Sequence, residues 1–226
     1  MFASSSTPDA PRTIPTRRPD RARHDRATVH AILDSDFVCH LGFVADGRPV
    51  VLPTLYARVG ERLYLHGSTG SRPLRAAGRG LEVCVTVTTV QGIVLARSAM
   101  HHSLNYRSVV AHGTAHRVTD PEELQIAFDA LLDQTVPGRS AGCRPPNAKE
   151  RAATAVLRLD LDTVSAKIRE GGVNDDPADA DLPHWAGVVP VWRAIGSAVP
   201  DPALPHGTPL PDHLRRFVED GGQRPR

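Results

Sequence analysis

Apolar residues alternate with polar ones over most of the chain between Phe37 and Arg169, the period of half-buried strands rather than helices. Phe37 to Val44 is predicted as one strand. Asp46-Gly47 supplies the two left-handed positions of a type I′ hairpin turn, and Pro49 to Val59 is its partner. Gly60-Glu61 turns the chain into Arg62 to His66, completing a meander. Further strands are predicted at Leu81 to Val90, at Ile93 onward after a turn at Gln91-Gly92, at Tyr106 to Val118, and at Thr154 to Asp162 with an extension over Val164 to Arg169. Three helices interrupt this pattern. Asp25 caps Arg26 to Leu33, which places Val29, Ile32 and Leu33 on one face. Asp120-Pro121-Glu122-Glu123 opens a longer helix, with Leu124, Phe128, Leu131 and Leu132 as its stripe and an end near Thr135. A marginal helix is predicted over Leu210 to Glu219. About seven strands, mostly joined as hairpins, with short inserted helices define an α+β protein built on an antiparallel barrel. A Rossmann fold is not expected, because there is no βαβ rhythm and no G-x-G-x-x-G.

The ends of the chain break the pattern. Residues 1–22 are rich in Pro, Ser and Arg and read as a disordered N-terminal tail; 197–226 read as a Pro/Gly-rich C-terminal tail. One domain over 23–196 remains, large enough for a substantial core. With aromatics at only 4%, that core must be built from Val, Leu and Ala. The net charge of +2 carries no concentrated basic face, so neither nucleic acid nor a membrane surface is an expected partner. No apolar run is long enough for a transmembrane helix, and Met1 to Asp20 lacks the apolar stretch of a signal peptide; a cytoplasmic location is expected. Cys39, Cys84 and Cys143 show no C-x-x-C or Cys/His spacing, so no metal site is expected.

Candidate chemistry is concentrated in three places. Between Arg97 and Arg107 lie two arginines, two histidines, two serines, an asparagine and a tyrosine, a density of donors that a folding strand does not need. This favours an anionic, aromatic ligand. Second, Gly67-Ser68-Thr69-Gly70-Ser71-Arg72-Pro73 runs from a strand through a glycine-bearing turn into a short helix. That is either an ordinary capped helix or a phosphate cradle of backbone N–H groups, hydroxyls and Arg72. Third, Pro53 sits inside a predicted strand, where it implies an edge, a bulge or a ligand-facing break.

Taken together, these segments carry a family likeness. Gly47-Arg48-Pro49 leading to Leu52-Pro53-Thr54-Leu55-Tyr56 is one part of it, and Leu63-Tyr64-Leu65-His66-Gly67-Ser68 with Gly70-Ser71-Arg72 is another. The run from Arg97-Ser98 to Asn105-Tyr106-Arg107-Ser108-Val109 and the segment Leu182 to Pro190 complete it. The chain resembles the pyridoxamine 5′-phosphate oxidase-like, FMN-binding split-barrel family, in its nitroimidazole-resistance-like branch. The resemblance implies a six-stranded Greek-key split barrel, a homodimer, and FMN in a groove between subunits. It places the FMN phosphate at Ser68, Ser71 and Arg72, where many relatives have Lys; arginine keeps the role through a forked contact. Leu52, Pro53 and Thr54 would then lie along the flavin ring, with backbone groups at Leu52 and Thr54 freed to meet its polar edge. Arg97, Ser98, Tyr106 and Arg107 would complete the cradle with His66 nearby. Trp185 is either a lid over the ring or a plug in the barrel mouth.

In such a protein the cofactor carries the redox chemistry and the polypeptide supplies orientation and electrostatics. The expected activity is that of an FMN-dependent oxidoreductase acting on a small molecule, with NAD(P)H or oxygen as redox partner. Two alternatives stand beside it: a haem-binding or haem-degrading split barrel with His66 or His102 as axial imidazole, and a flavin-binding module without turnover. True pyridoxamine-phosphate oxidase activity is not expected, since it needs a second phosphate site. Lys167 and Arg169, the only basic residues on their strand, read as its solvated face.

Overall fold

The computed structural model describes residues 18–71 and 80–222. Nine strands form one continuous sheet: β1 (Ala22–Arg23), β2 (Val38–Ala45), β3 (Arg48–Val59), β4 (Arg62–Ser68), β5 (Leu81–Leu95), β6 (Ser103–Arg117), β7 (Thr154–Asp160), β8 (Thr163–Arg169) and β9 (Gly187–Pro190). Six of them close a ring, β6–β7–β4–β3–β2–β5 and back to β6, every pair antiparallel. The ring is a split barrel because β6 divides its partners. Its C-terminal end, His116–Arg117, pairs with β7, while Tyr106 to His112 pair with β8, which leads outward to β1. β9 is added on the outer edge of β5.

The predicted signals operate as expected at most junctions. Asp46 and Gly47 both hold positive φ, the type I′ geometry that matches strand twist. Asp25 accepts the Thr28 N–H at 2.8 Å and caps α1 (Arg26–Asp34). Asp120 accepts the Glu123 N–H at 2.9 Å and starts α2 (Pro121–Thr135). Val29, Ile32 and Leu33 of α1 seal one end of a core made from alternate residues of the ring, among them Leu41, Val85, Val109, Leu157 and Leu159. Tyr56 enters this core and Tyr64 a second cluster with Val118, Ala127 and Val156, each where its hydroxyl finds a partner. Tyr56 donates to Leu33 O, and Tyr64 donates to Glu123 Oε1 at 2.8 Å.

Three expectations are corrected. Gln91-Gly92 is not a turn: β5 runs unbroken, with a register shift between Val90 and Gly92. This bulge reverses the facing of the strand, so that Val83, Val85 and Val87 are buried before it and Gly92 and Val94 after it. The polar loop expected over 138–149 contains the start of α3 (Ala148–Ala153), where Asn147 and Glu150 form a reciprocal capping box. Of the expected N-terminal tail, residues 1–17 lie outside the described residues, but Pro19–Arg21 form a 3₁₀ turn and Ala22 pairs with β8. At the other end α4 (Asp212–Glu219) follows an extended segment that Arg193 pins to the barrel. Its guanidinium donates to both oxygens of the buried Asp36 carboxylate at 2.7 and 3.1 Å and lies 5.1 Å from the Phe37 ring.

Candidate cofactor site

The barrel has a fork. β3 pairs with β4 only from Tyr56 to Val59, whereas its Arg48 to Leu55 half pairs with β2 alone. That half therefore offers a free edge. Tyr56 N–H donates to Phe37 O at 3.2 Å, and N–H direction alternates along a strand, so the N–H groups of Thr54 and Leu52 also point toward β2. The positions facing the free edge are Val51, Pro53 and Leu55. Pro53 thus sits at an edge, where its missing N–H costs no ladder bond. The expectation for Leu52 and Thr54 is corrected: their N–H groups serve the ladder, and the outward donors are Val51 and Leu55.

Where β3 leaves β4, a cavity of about 520 Å³ opens. Leu55, His66 and Thr154 come from β3, β4 and β7; Phe128, Leu131 and Leu132 of α2 roof it; Cys143, Arg144 and Glu150 line its far side. The lining is mainly apolar, and its size falls within the usual range for small-molecule sites. His66 is its one imidazole. The ring is open to the cavity, yet surrounding protein desolvates it and lowers its pKa below the ordinary imidazole value. It is therefore neutral near pH 7, with a ring nitrogen able to accept a proton or a metal. Arg144 and Glu150 face each other at 2.6 and 2.8 Å at the polar rim.

The serine turn lies just beyond His66. Thr69 N–H donates to Ala153 O at 3.0 Å, Ser71 N–H to Ser68 O at 2.9 Å and Gly70 N–H to Ser68 Oγ at 3.2 Å. Ser71 Oγ is buried with no hydrogen-bond partner among the described residues. A hydroxyl in that condition is ready for an incoming acceptor. Arg72, expected to complete this cradle, lies outside the described residues.

Arg97, Ser98, Tyr106 and Arg107 do not line this cavity. β4 meets β7 at Ser68 and Thr154, β7 meets β6 at Leu157 and Arg117, and Tyr106 is eleven residues further along β6. That is about 36 Å of strand. Round the other side of the ring the path is shorter: Pro53 pairs with His40, His40 with Thr86 and Thr86 with Val110, four residues from Tyr106. His66 and His102 line different cavities; His102 Nδ1 sits 3.1 Å from Ser98 O across the 3₁₀ turn Ala99–His101.

The two arginines are also less available than expected. Arg97 donates its backbone N–H and its guanidinium (2.9 Å) to Asp175. Burial alone would raise the Asp175 carboxyl, but these bonds outweigh it and hold its pKa below the ordinary value. Arg107 is paired with Glu170 at 2.7 Å. Ser98 accepts Met100 N–H at 3.4 Å, a capping role. Tyr106 stands directly opposite Arg169 on the outer face of β6. Trp185 is two-thirds exposed and folds its ring over Gly187, where an added Cβ would meet it at 2.8 Å. It is not a plug in the barrel mouth.

The geometry is that of a split barrel with an apolar cavity at its fork. The chain belongs to the pyridoxamine 5′-phosphate oxidase family, whose model matches residues 25–168. It is similar to the flavocytochrome Anf3 of Azotobacter vinelandii at 37% identity, over 92% of this chain and 97% of that one, with a TM-score of 0.84. It is 38% identical to the FAD and heme binding protein of Mycobacterium smegmatis, over 87% of this chain and 96% of that one, with a TM-score of 0.82. A protein assigned to 5-nitroimidazole antibiotic resistance in Bacteroides thetaiotaomicron shares the fold at 19% identity, covering 65% of this chain and 86% of that one, with a TM-score of 0.56. No curated protein matches the chain. Among the described residues no helix is long and apolar enough to cross a membrane, and no group of three or more His, Cys, Asp or Glu could hold a metal ion.

Proposed function

We propose that this chain is a redox protein that holds a flavin and a haem, the haem to be held by a ring nitrogen of His66. The observation that carries the reading is His66: a neutral imidazole, open to an apolar cavity of about 520 Å³, at the fork of the barrel. Both ingredients of a haem site are present there, a nitrogen ligand and an apolar enclosure. Phe128, Leu131, Leu132 and Leu55 would supply the walls, and Arg144 at the rim would face carboxylates in competition with Glu150. The flavocytochrome and the FAD- and haem-binding relative support the same assignment, and the second of them favours FAD over the FMN expected from the serine turn.

The flavin is assigned to the free edge of β3 and the serine turn. Val51 N–H and Leu55 N–H would meet its polar rim, and Ser71 Oγ its phosphate. Tyr106, expected in the same groove, would be supplied by a second copy of the chain, with the flavin at the interface of a homodimer. A flavin exchanges hydride and a haem single electrons, so a protein holding both converts one currency to the other. NAD(P)H or another small molecule serves as donor and oxygen or a small molecule as acceptor. The polypeptide positions both groups and excludes water from the cavity.

Absorbance spectroscopy and mass spectrometry of the purified protein test this. A Soret band and a flavin spectrum are expected, with His66→Ala losing the Soret band and keeping the flavin. Failure of the wild-type chain to gain a Soret band on haemin titration would remove the haem assignment.

A further inference from the structure

On the outer face of β8, away from the fork, a second and strongly basic concavity is present. The bulge in β5 does not disturb β6 and β8, so side chains of alternate residues share a face: Val164 and Ala166 enter the core, while Lys167 and Arg169 point outward. Lys167 stands opposite Ala22 of β1 and Ser108 of β6, and Arg169 opposite Tyr106. Two adjoining cavities, of about 360 and 490 Å³, share Arg18, Arg21, Arg169 and Asn174 as lining; Lys167 and His101 line the first.

Arg169 is the notable member. It is only 8% exposed, and its hydrogen bonds go to neutral acceptors, Asn105 Oδ1 and, at 3.2 Å, Gly172 O. No carboxylate pairs with it among the described residues. A guanidinium removed from water without an anion is costly, and the repulsion of nearby Arg21 adds to that cost. His101 Nδ1, on the same wall, is buried with no hydrogen-bond partner. Two carboxylates line the larger cavity: Glu170 is engaged by Arg107 at 2.7 Å, which leaves Asp20 against four cationic side chains. Concavity, a buried unneutralised cation and an unpartnered ring nitrogen describe a site built for an anion.

We infer that this concavity binds the phosphate or diphosphate group of a small-molecule ligand, with Arg169 and Lys167 as its floor and Arg21 closing it from the N-terminal segment. A diphosphate suits it better than a carboxylate, because several separated cations need an anion with oxygens on more than one side. The assignment does not depend on the haem or flavin reading.

Isothermal titration of the full chain with inorganic pyrophosphate, at fixed ionic strength, tests the site. Saturable binding is expected for the wild-type protein, weakened about tenfold or more by Lys167→Gln and by Arg21→Gln, each of which leaves the unfolding transition in place. Arg169→Lys, which keeps the charge but loses the fork, is expected to weaken binding while folding normally. Absence of saturable binding, or equal affinity in all variants, would overturn the inference. FAD and FMN retention measured on the same variants separates the sources. Loss of FAD with FMN retained assigns the site to the flavin's own diphosphate; retention of both assigns it to a separate phosphorylated ligand. Because pyrophosphate binding is read directly, a colourless protein that binds it would sink the cofactor reading alone.

Discussion

At the scale of single residues, the consequential side chains are those whose charge state the fold sets. His66 has a lowered pKa through desolvation, so the unfolded chain binds its proton more readily than the folded one. Stability from this group is therefore complete above the unfolded value near 6.5 and declines as pH falls toward the lower folded value. Thermal unfolding between pH 7 and pH 5 should show this slope, and His66→Gln should flatten it. Any haem held by His66 should be released over the same range. Asp36 has the opposite character. Burial would raise it, but hydrogen bonds from Arg193 and from the Phe37 and Val38 N–H groups prevail and lower its pKa. Its contribution is present above the unfolded value near 3.9 and lost as pH falls through the folded one. Arg193→Ala leaves that carboxylate buried with backbone partners only, and should cost about 1–3 kcal/mol in denaturant unfolding. Residue identity was legible here and partnership was not. His66 stood among the candidates from its strand and turn, but the cavity depends on α2 and α3 arriving from beyond residue 120. Arg97 and Arg107 looked free because Asp175 and Glu170 are more than sixty residues away in sequence. Arg169 looked solvated because strand alternation shows that it leaves the core, and not that the N-terminal segment covers it.

At the scale of elements, local signals were reliable where a short-range bond decides the outcome. The Asp46-Gly47 hairpin and the Asp25 and Asp120 caps each rest on contacts within four residues. The α3 start rests on such a contact too: Asn147 followed three residues later by Glu150 is a capping-box pattern, hidden in a stretch whose prolines read as loop. The β5 bulge was not legible, since Gln91-Gly92 carries the same composition in a bulge and in a turn. What decides between them is long-range pairing with β6 on one side and β9 on the other. Gly92 shows why the position is small. A Cβ there would stand 3.0 Å from Val188 Cγ1 and 3.4 Å from Val189 O. Gly92→Ala should push β9 away from β5 while leaving the ring closed. Hydrogen exchange should accelerate at the amides of Val188 and Val189 and stay unchanged in β2 and β7, with a global cost of about 1 kcal/mol.

At the scale of the whole molecule, the barrel has one face that a single chain leaves uncovered. Leu104, Ile93 and Val189 are directly opposite one another across β6, β5 and β9, so they form a row on one side, each more than 40% exposed. Val44 and Val51, cross-strand neighbours on the outer face of β2 and β3, are both 64% exposed. The second of these patches borders the free edge of β3, and the first runs into Tyr106 on the same outer face of β6. A second copy related by a two-fold axis would cover both apolar rows and place Tyr106 of one chain near the β3 edge of the other, each copy completing the site of its partner. An antiparallel barrel was readable from alternation and hairpins, whereas its six strands and a pairing of two copies came only from the family resemblance, since no single-chain periodicity encodes what a face meets. The expected mass in light scattering is twice the 24.4 kDa of the chain. Ile93→Glu puts a charge in the middle of the apolar row and should give a folded monomer, with unchanged far-ultraviolet dichroism, that retains flavin at least tenfold less tightly. The cavity beside His66 is lined by one chain, so a haem held there as proposed should keep its Soret band in the same variant. A monomeric variant that loses flavin and keeps haem would separate the two sites by the scale on which each is assembled; a wild-type monomer that binds flavin fully would require the whole groove to lie within one chain.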